Sequence, residues 1–523
     1  MKPSFRLLLL IIINSLYFNC FFGQKELLDK NNLLDPSTYE PPNFLIILSD
    51  DVSPEQISSL YGANFAVTPA FNSLAANGLL FQRAYTSTSS CAPARASLLT
   101  CRNIWQNEEA GVHNSIFPNT FPTYIELLVD NGYQCGYLSG IWKPGKSLRN
   151  ENSYGKRYGG YVKEGLEKFL DDNVERKPFH FFITTFDGHA PFENKWEEYV
   201  ERMDTMNMPP YLPNNNFYKK RLLNANYEIE NFDKKIQLII DVLKERNLYD
   251  NTVIIVSSDN GTTLSGNAKG AGAYNPGCRV PLLIHWPKGI KAPGREVHNL
   301  VSQMDVSKTL LNLAKIQPLE SMTEGESICK IFYNANLKED INKYIYTGFE
   351  RHTRYREKEI SCFPIRSIIS EKFQYIINLE PERRIFGEEG NRHYYYYHYS
   401  NDKIKGTILE DGDSITYKFY ESYTKQRPLE ELFDLENDPA CLNNLAGNFK
   451  YIEIKNQLST LLIEKLKKDN DPRINFNGIW FDLAPVPTTN DTITGFPYTD
   501  AYQSPFDRSN YPSDVLIRPW KVE

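Results

Sequence analysis

The 523-residue chain carries no evident internal repeat. It has no Cys-x-x-Cys pair, so a structural zinc site is not expected. It has no basic stripe, and its formal net charge of −7 gives no support for a nucleic-acid partner. No segment is long and apolar enough to span a membrane, so no integral membrane segment is expected. What is present is ordinary for a globular protein: 41% hydrophobic and 24% charged residues, over a length ample for a large core or two domains. Tyr (33) and Phe (30) are abundant; aromatic faces suit sugar rings, but most are expected to pack cores and strands.

The N-terminus begins Met1-Lys2-Pro3-Ser4-Phe5-Arg6 and continues with an unbroken apolar run from Leu7 to Ile13. A basic start before a short apolar stretch reads as a secretory signal peptide over residues 1–23, with cleavage near Gly23 and Gln24. A lipid anchor at Cys20 is the lesser reading, because Phe18 and Asn19 fit it poorly. The mature chain is therefore expected to be exported, either periplasmic or secreted. Export permits disulfides among Cys101, Cys135, Cys278, Cys329, Cys362 and Cys441, but spacing does not fix a pairing.

Phe44-Leu45-Ile46-Ile47-Leu48 is a continuous apolar run ending at Ser49-Asp50-Asp51. Thr252-Val253-Ile254-Ile255-Val256 does the same and ends at Ser257-Ser258-Asp259-Asn260. Unbroken runs of this kind predict strands buried on both faces of a parallel sheet, and polar residues directly after them lie at the carboxyl edge where such sheets bind ligands. A third buried strand is expected over Phe179 to Phe186. Thr68-Pro69 is expected to start a helix that Gly78 ends, and Ile236, Ile239, Ile240 and Leu243 form an amphipathic stripe before the second strand. The alternation argues for an α/β sandwich. From about residue 366 the strands become short and alternating, as in Phe373 to Ile377, and a helix is expected at roughly 452–468. We read domains over residues 24–365 and 366–523, the second a smaller α+β unit. Tyr394 to Tyr397 lies in a polar insertion and reads as a substrate-facing loop or a surface strand.

One acidic pair after a strand is usually a helix cap. Two pairs closing two buried strands instead point to a shared cation, with Asp50, Asp51, Asp259 and Asn260 as ligands. Four hard oxygen donors and no imidazole favour Ca²⁺ or Mg²⁺ over zinc.

The stretch Ser89-Ser90-Cys91-Ala92-Pro93-Ala94-Arg95, followed by Ala96-Ser97-Leu98-Leu99-Thr100, resembles the Cys-x-Pro-x-Arg signature of type I sulfatases. The resemblance implies an alkaline-phosphatase-like sandwich with a large, mostly parallel mixed sheet between helices. It also implies that a maturation enzyme oxidises Cys91 to formylglycine (3-oxoalanine), whose hydrated aldehyde is the nucleophile and joins the metal shell. Thr100-Cys101 departs from the family's Thr-Gly, outside the core of the signature. Arg95 is expected to point back to the nucleophile. His189, in Asp187-Gly188-His189-Ala190-Pro191, resembles the family's His-x-Pro loop, and Lys269 occupies the place of a sulfate-binding lysine. Glu350-Arg351-His352 before Arg354 and Phe363-Pro364-Ile365-Arg366-Ser367 resembles the branch that includes heparan N-sulfatase and bacterial polysaccharide sulfatases, where the His contacts substrate. Glu431 to Pro439, then Asn443 to Ala446, matches the family's C-terminal segment, so the likeness covers nearly the whole mature chain. The family's Gly-Lys stretch is altered here to Ser139-Gly140-Ile141-Trp142-Lys143-Pro144-Gly145; Lys143 either reaches the sulfate from a shifted position or is a surface lysine.

These features imply an exported sulfatase acting on sulfated carbohydrate, algal (ulvan or carrageenan) or glycosaminoglycan. The Lys-, Asn- and Ile-rich composition looks bacterial and favours polysaccharide degradation. A sulfamidase cleaving N–S bonds is the second reading. A phosphatase of the same superfold would need a Ser or Thr nucleophile and a His-rich two-metal site, and neither appears. An inactive sugar-binding relative is the reading from another class, and the displaced lysine is its only support.

Overall fold

The apolar run 44–48 becomes a strand because both of its faces find a core. In the computed structural model, which describes residues 40–118, 120–142, 145–147, 158–335, 337, 340–352, 362–383, 418–419, 421–422, 425–475 and 478–484, β1 (Asn43–Ser49) is buried throughout. Phe44, Ile46 and Leu48 pack with Ala92, Ala96, Leu99 and Leu310 on one face. Leu45 and Ile47 pack with Phe232, Ile236 and Ile240 on the other. Each such side chain contributes about 2 kcal/mol of burial, which explains why period-2 polarity is missing from the run.

The remaining strands, in chain order, are β2 (Leu79–Tyr85), β3 (Ser115–Phe117), β4 (Gln134–Leu138), β5 (Gly145–Ser147), β6 (Gly160–Tyr161), β7 (Phe179–Thr184), β8 (Thr252–Ser258), β9 (Arg279–His285), β10 (Arg295–Val297), β11 (Val301–Ser302), β12 (Ile345–Phe349), β13 (Ile365–Ile369), β14 (Phe373–Asn378) and β15 (Glu430–Asp434). Nine of them form one sheet in the order β10-β2-β9-β8-β1-β7-β4-β6, with β11 also on β2; β3 and β5 pair separately. Only β9 runs antiparallel to its neighbours. Helices cover both faces, giving the α/β sandwich with a mostly parallel mixed sheet. Among the described residues no helix is long and apolar enough to cross a membrane.

Two local expectations are corrected. The strand predicted over 179–186 ends at Thr184: Thr185 N makes a last bond to Leu48 O at 2.9 Å, and Phe186 turns out to 57% exposure. The helix after Thr68 spans Pro69–Ala76 with Asn77 as its C-cap and Gly78 directly beyond it. Thr68 does not cap it, because its hydroxyl donates to Ile57 O at 2.8 Å; the first-turn amides of Ala70 and Phe71 instead donate to the Asp233 carboxylate of the long helix Asn216–Glu245.

The second sheet is an antiparallel meander, β12-β13-β14-β15. One face carries Ile368, Tyr375, Ile377 and Leu432 against Leu458, Leu462 and Leu466 of the helix Ile452–Lys468. The other carries Ile365, Ile376 and Phe433 against Ala273 and Tyr274. The domain boundary read after residue 365 therefore falls inside β13, and the sheet begins earlier, at Ile345. The change of character read at residue 366 comes after the sheet has begun, because β12 is bonded to the large unit as well: Gly348 N donates to Ser87 O at 2.9 Å and Thr347 Oγ1 to Ala273 O at 3.2 Å. The seven cysteines in the described residues are all free thiols. The signal segment, Cys20 and Tyr394 to Tyr397 lie outside the described residues.

Candidate active site

The sheet register sets the site. Ser49 of β1 stands opposite Ser258 of β8, so both strands release their acidic residues at the same level of the carboxyl edge. Cys91 is the first residue of the helix Cys91–Thr100, all ten residues of which are buried. Ligand atoms of Asp50, Asp51, Cys91 and Asp259 lie within 4.8 Å of one another. Asp51 sits at φ 64°, a left-handed conformation that points two successive carboxylates into one space. Its amide donates to Asp259 Oδ1 at 3.2 Å.

The Cys91 thiol donates to Asp50 Oδ1 at 3.4 Å and to Asp51 Oδ1 at 3.8 Å. Burial, and then the Asp50 carboxylate, pushes its pKa well above the ordinary thiol value.

Arg95 lies one helical turn on from Cys91, on the same face. Its Nε donates to Asp259 Oδ2 at 2.8 Å and its Nη2 lies 2.7 Å from the same oxygen and 3.6 Å from Asp50 Oδ2. Nη1 donates to Gly140 O and Thr184 Oγ1, each at 3.1 Å. Arg95 thus grips the carboxylates beside the thiol, where the sequence suggested a contact with the nucleophile itself. Burial raises the pKa of Asp259, with Asp50 adding to it and Arg95 and Lys269 opposing.

Lys269 is 4% exposed, with Nζ 2.6 Å from the Asp51 carboxylate. Burial disfavours its ammonium, but Asp51, with Asp50 and Asp259 behind it, outweighs this and holds it charged. The segment is pinned by Lys269 N to Thr262 O and Gly270 N to Ser89 O, so the lysine and Cys91 are fixed to each other. His189 is one-third exposed, with Nε2 3.7 Å from Asp51 Oδ2. Its loop is held close because Gly188 lies flat against β1: a Cβ there would stand 2.2 Å from Asp50 O.

Asn260 Nδ2 donates to Asp51 Oδ1 at 2.9 Å and to Gly261 O, while its Oδ1 is buried with no protein partner. An orphaned carbonyl oxygen beside three carboxylates is a donor set suited to a hard cation, and three carboxylates against Arg95 and Lys269 leave net negative charge for one. The cluster could hold a metal through Asp50, Asp51, Asp259 and Asn260.

His352 is placed differently. It is buried, and its ring stacks on His113 with centroids 4.2 Å apart and planes 17° apart. Its segment is anchored by Glu350, which accepts from Arg366 Nη2 and Arg473 Nη2 at 2.7 Å each. Lys143 lies outside the described residues. Sequence reasoning missed His113, which follows a short 3-10 turn and carries no local signal. It also missed Thr184, whose place at the end of β7 was the available clue.

The family model described as Sulfatase matches residues 42–316, and one described as N-sulphoglucosamine sulphohydrolase, C-terminal, matches residues 272–376. An "Ulvan-active sulfatase" of Formosa agariphila is 28% identical over 459 residues, covering 83% of this chain and 81% of that protein. The "N-sulphoglucosamine sulphohydrolase" of Homo sapiens is 24% identical, covering 83% and 91%. A solved structure of a protein in complex with its substrate D-glucosamine-2-N,6-O-disulfate superposes with a TM-score of 0.56 at 18% identity, covering 83% of this chain and 99% of that one.

Proposed function

The chain belongs to the sulfatase family, and on that premise we propose that it hydrolyses sulfate esters on carbohydrate with a nucleophile made from Cys91. It is a sulfuric ester hydrolase, and sulfated carbohydrate is its substrate class. The observation that carries the finer reading is the placement of the Cys91 thiol: buried at the start of its helix and set among three carboxylates, an arginine and a lysine.

Formylglycine made from Cys91 by a maturation enzyme would supply, as its hydrate, the attacking hydroxyl, and Asp50, Asp51, Asp259 and Asn260 would hold a Ca²⁺ (Mg²⁺ as the alternative) that would supply positive charge beside it. The chain's own residues do the rest. Arg95 holds Asp259 and Asp50 so that the carboxylates keep their places. Lys269, buried and charged, presents its ammonium to the sulfuryl oxygens, where charge grows in the transition state. His189 has both proximity to Asp51 and access to solvent, which suits proton delivery to the leaving oxygen. His352 and Lys143 stay as proposed substrate contacts. The substrate we favour is ulvan or a related sulfated polysaccharide, met after export and removal of residues 1–23.

The match of residues 272–376 to the N-sulphoglucosamine sulphohydrolase C-terminal model favours a second reading, N–S cleavage in heparan. Sulfate release from ulvan oligosaccharides and from N-sulfated glucosamine, measured for matured protein and Cys91→Ser, tests both. Release from ulvan that Cys91→Ser abolishes is expected. Release from the N-sulfate alone would transfer the assignment to the sulfamidase, and release unaffected by Cys91→Ser would end the mechanism. An inactive sugar-binding relative is disfavoured by the presence of Cys91, Arg95 and the four ligands together.

A further inference from the structure

Beside the site, on the side of the long helix, lies a second cavity of about 620 Å³, within the range of ligand pockets. Leu138, Leu166 and Ile183 form its apolar floor. Phe186 and Leu238 stand on its rim, 57% and 65% exposed, although both are large apolar side chains. Their exposure is not explained by the fold: Phe186 belongs to the run that reads as buried strand, yet leaves the sheet two residues after β7 ends.

The polar lining is also incomplete. Thr185 Oγ1 and Asp187 Oδ2 are buried with no protein partner, and Asp187 Oδ1 accepts from Lys235 Nζ. Glu228 adds a second carboxylate, so two anions face one ammonium that is already engaged. Such a lining repels a sulfate group, whereas unsatisfied acceptors beside an aromatic face suit hydroxyls and the apolar face of an uncharged ring.

The cavity also shares its wall with the catalytic centre. Thr184 lines it, and the Thr184 hydroxyl accepts from Arg95 Nη1 at 3.1 Å. Asp187 is two residues before His189, and Gly188 between them is pressed onto Asp50 O.

We propose that this cavity is a subsite for an unsulfated sugar unit of the substrate chain, stacked on Phe186 while the neighbouring sulfated unit lies at Cys91. The assignment rests on the carbohydrate-sulfatase reading, and it makes the enzyme selective for oligosaccharides in which sulfated and unsulfated units adjoin.

The test uses the full chain as Cys91→Ser, which holds substrate without turnover. Calorimetric titrations with a κ-carrageenan tetrasaccharide, whose unsulfated unit is uncharged, and a heparan tetrasaccharide, whose unsulfated unit is a uronate that the lining should disfavour, each against its sulfated monosaccharide, read the advantage of the longer ligand. An advantage of about tenfold is expected for at least one glycan, and adding Phe186→Ala should remove most of it, with Leu238→Ala removing less. Sulfating the neighbouring unit should also remove it. The subsite is overturned if neither tetrasaccharide has an advantage or if Phe186→Ala leaves the advantage intact. Sulfate release by the matured protein is measured separately: if it is absent while the Phe186 dependence is present, the hydrolytic reading fails and the subsite stands.

Discussion

Replacing Arg95 by Met should expose how much of the site's order depends on one guanidinium. The side chain is 2% exposed and makes contacts to Asp259, Asp50, Gly140 O and Thr184 Oγ1. Methionine fills most of the volume but leaves Asp259 buried without its partner, which costs about 3–5 kcal/mol. Two orphaned acceptors add about 1–3 kcal/mol each. The sum approaches a large share of the whole stability of about 5–15 kcal/mol for a folded domain. Urea denaturation of the metal-free protein, before and after substitution, measures it. The loss should also depend on pH. Burial already raises the pKa of Asp259, and removing Arg95 takes away a group that opposes the rise. The folded variant then binds more protons than the unfolded chain, so its stability falls as pH rises from the ordinary carboxylate range toward the raised value. The deficit at pH 7.5 should exceed that at pH 5. A deficit below about 1 kcal/mol, or one equal at both pH values, would refute the reasoning.

Three further outcomes follow from the same geometry. Ca²⁺ should raise the denaturation midpoint of the protein, and Asp51→Asn should abolish the increase, as read by urea titration with and without chelator. Gly188→Ala places a Cβ 2.2 Å from Asp50 O; it should cost about 1–3 kcal/mol and lower kcat by shifting His189, measured by denaturation and sulfate release. Leu462→Ala, at a fully buried position under the small sheet, should cost about 2–5 kcal/mol with little effect on KM for a sulfated monosaccharide.

The parallel sheet was legible in the sequence because Phe44 to Leu48 and Thr252 to Val256 have no polar face, and such runs fit only between two covered surfaces. The same feature located Asp50, Asp51, Asp259 and Asn260, since a strand buried to its last residue leaves its next residues at the edge. Phe186 misled, because an aromatic residue after Thr184 and Thr185 extends the apolar pattern while the chain has already turned out of the sheet. The start of the small sheet was hidden because β12 is defined by pairing with β13, and pairing across a long connection leaves no periodic mark. His113 was unreadable for the same reason: its neighbour His352 is 239 positions away. Arg95 was expected beside Cys91 from the resemblance of the signature, but its partners were set by β1, β8 and β7 together.

The central claim is that residue 91 works as an aldehyde made from cysteine. Peptide mass spectrometry on protein purified from a host that matures sulfatases, aimed at the tryptic peptide containing Cys91, tests it most directly. A loss of about 18 Da at Cys91, the change from thiol to aldehyde, is the result the account predicts. An unmodified thiol in protein that nonetheless releases sulfate from a sulfated sugar would contradict it.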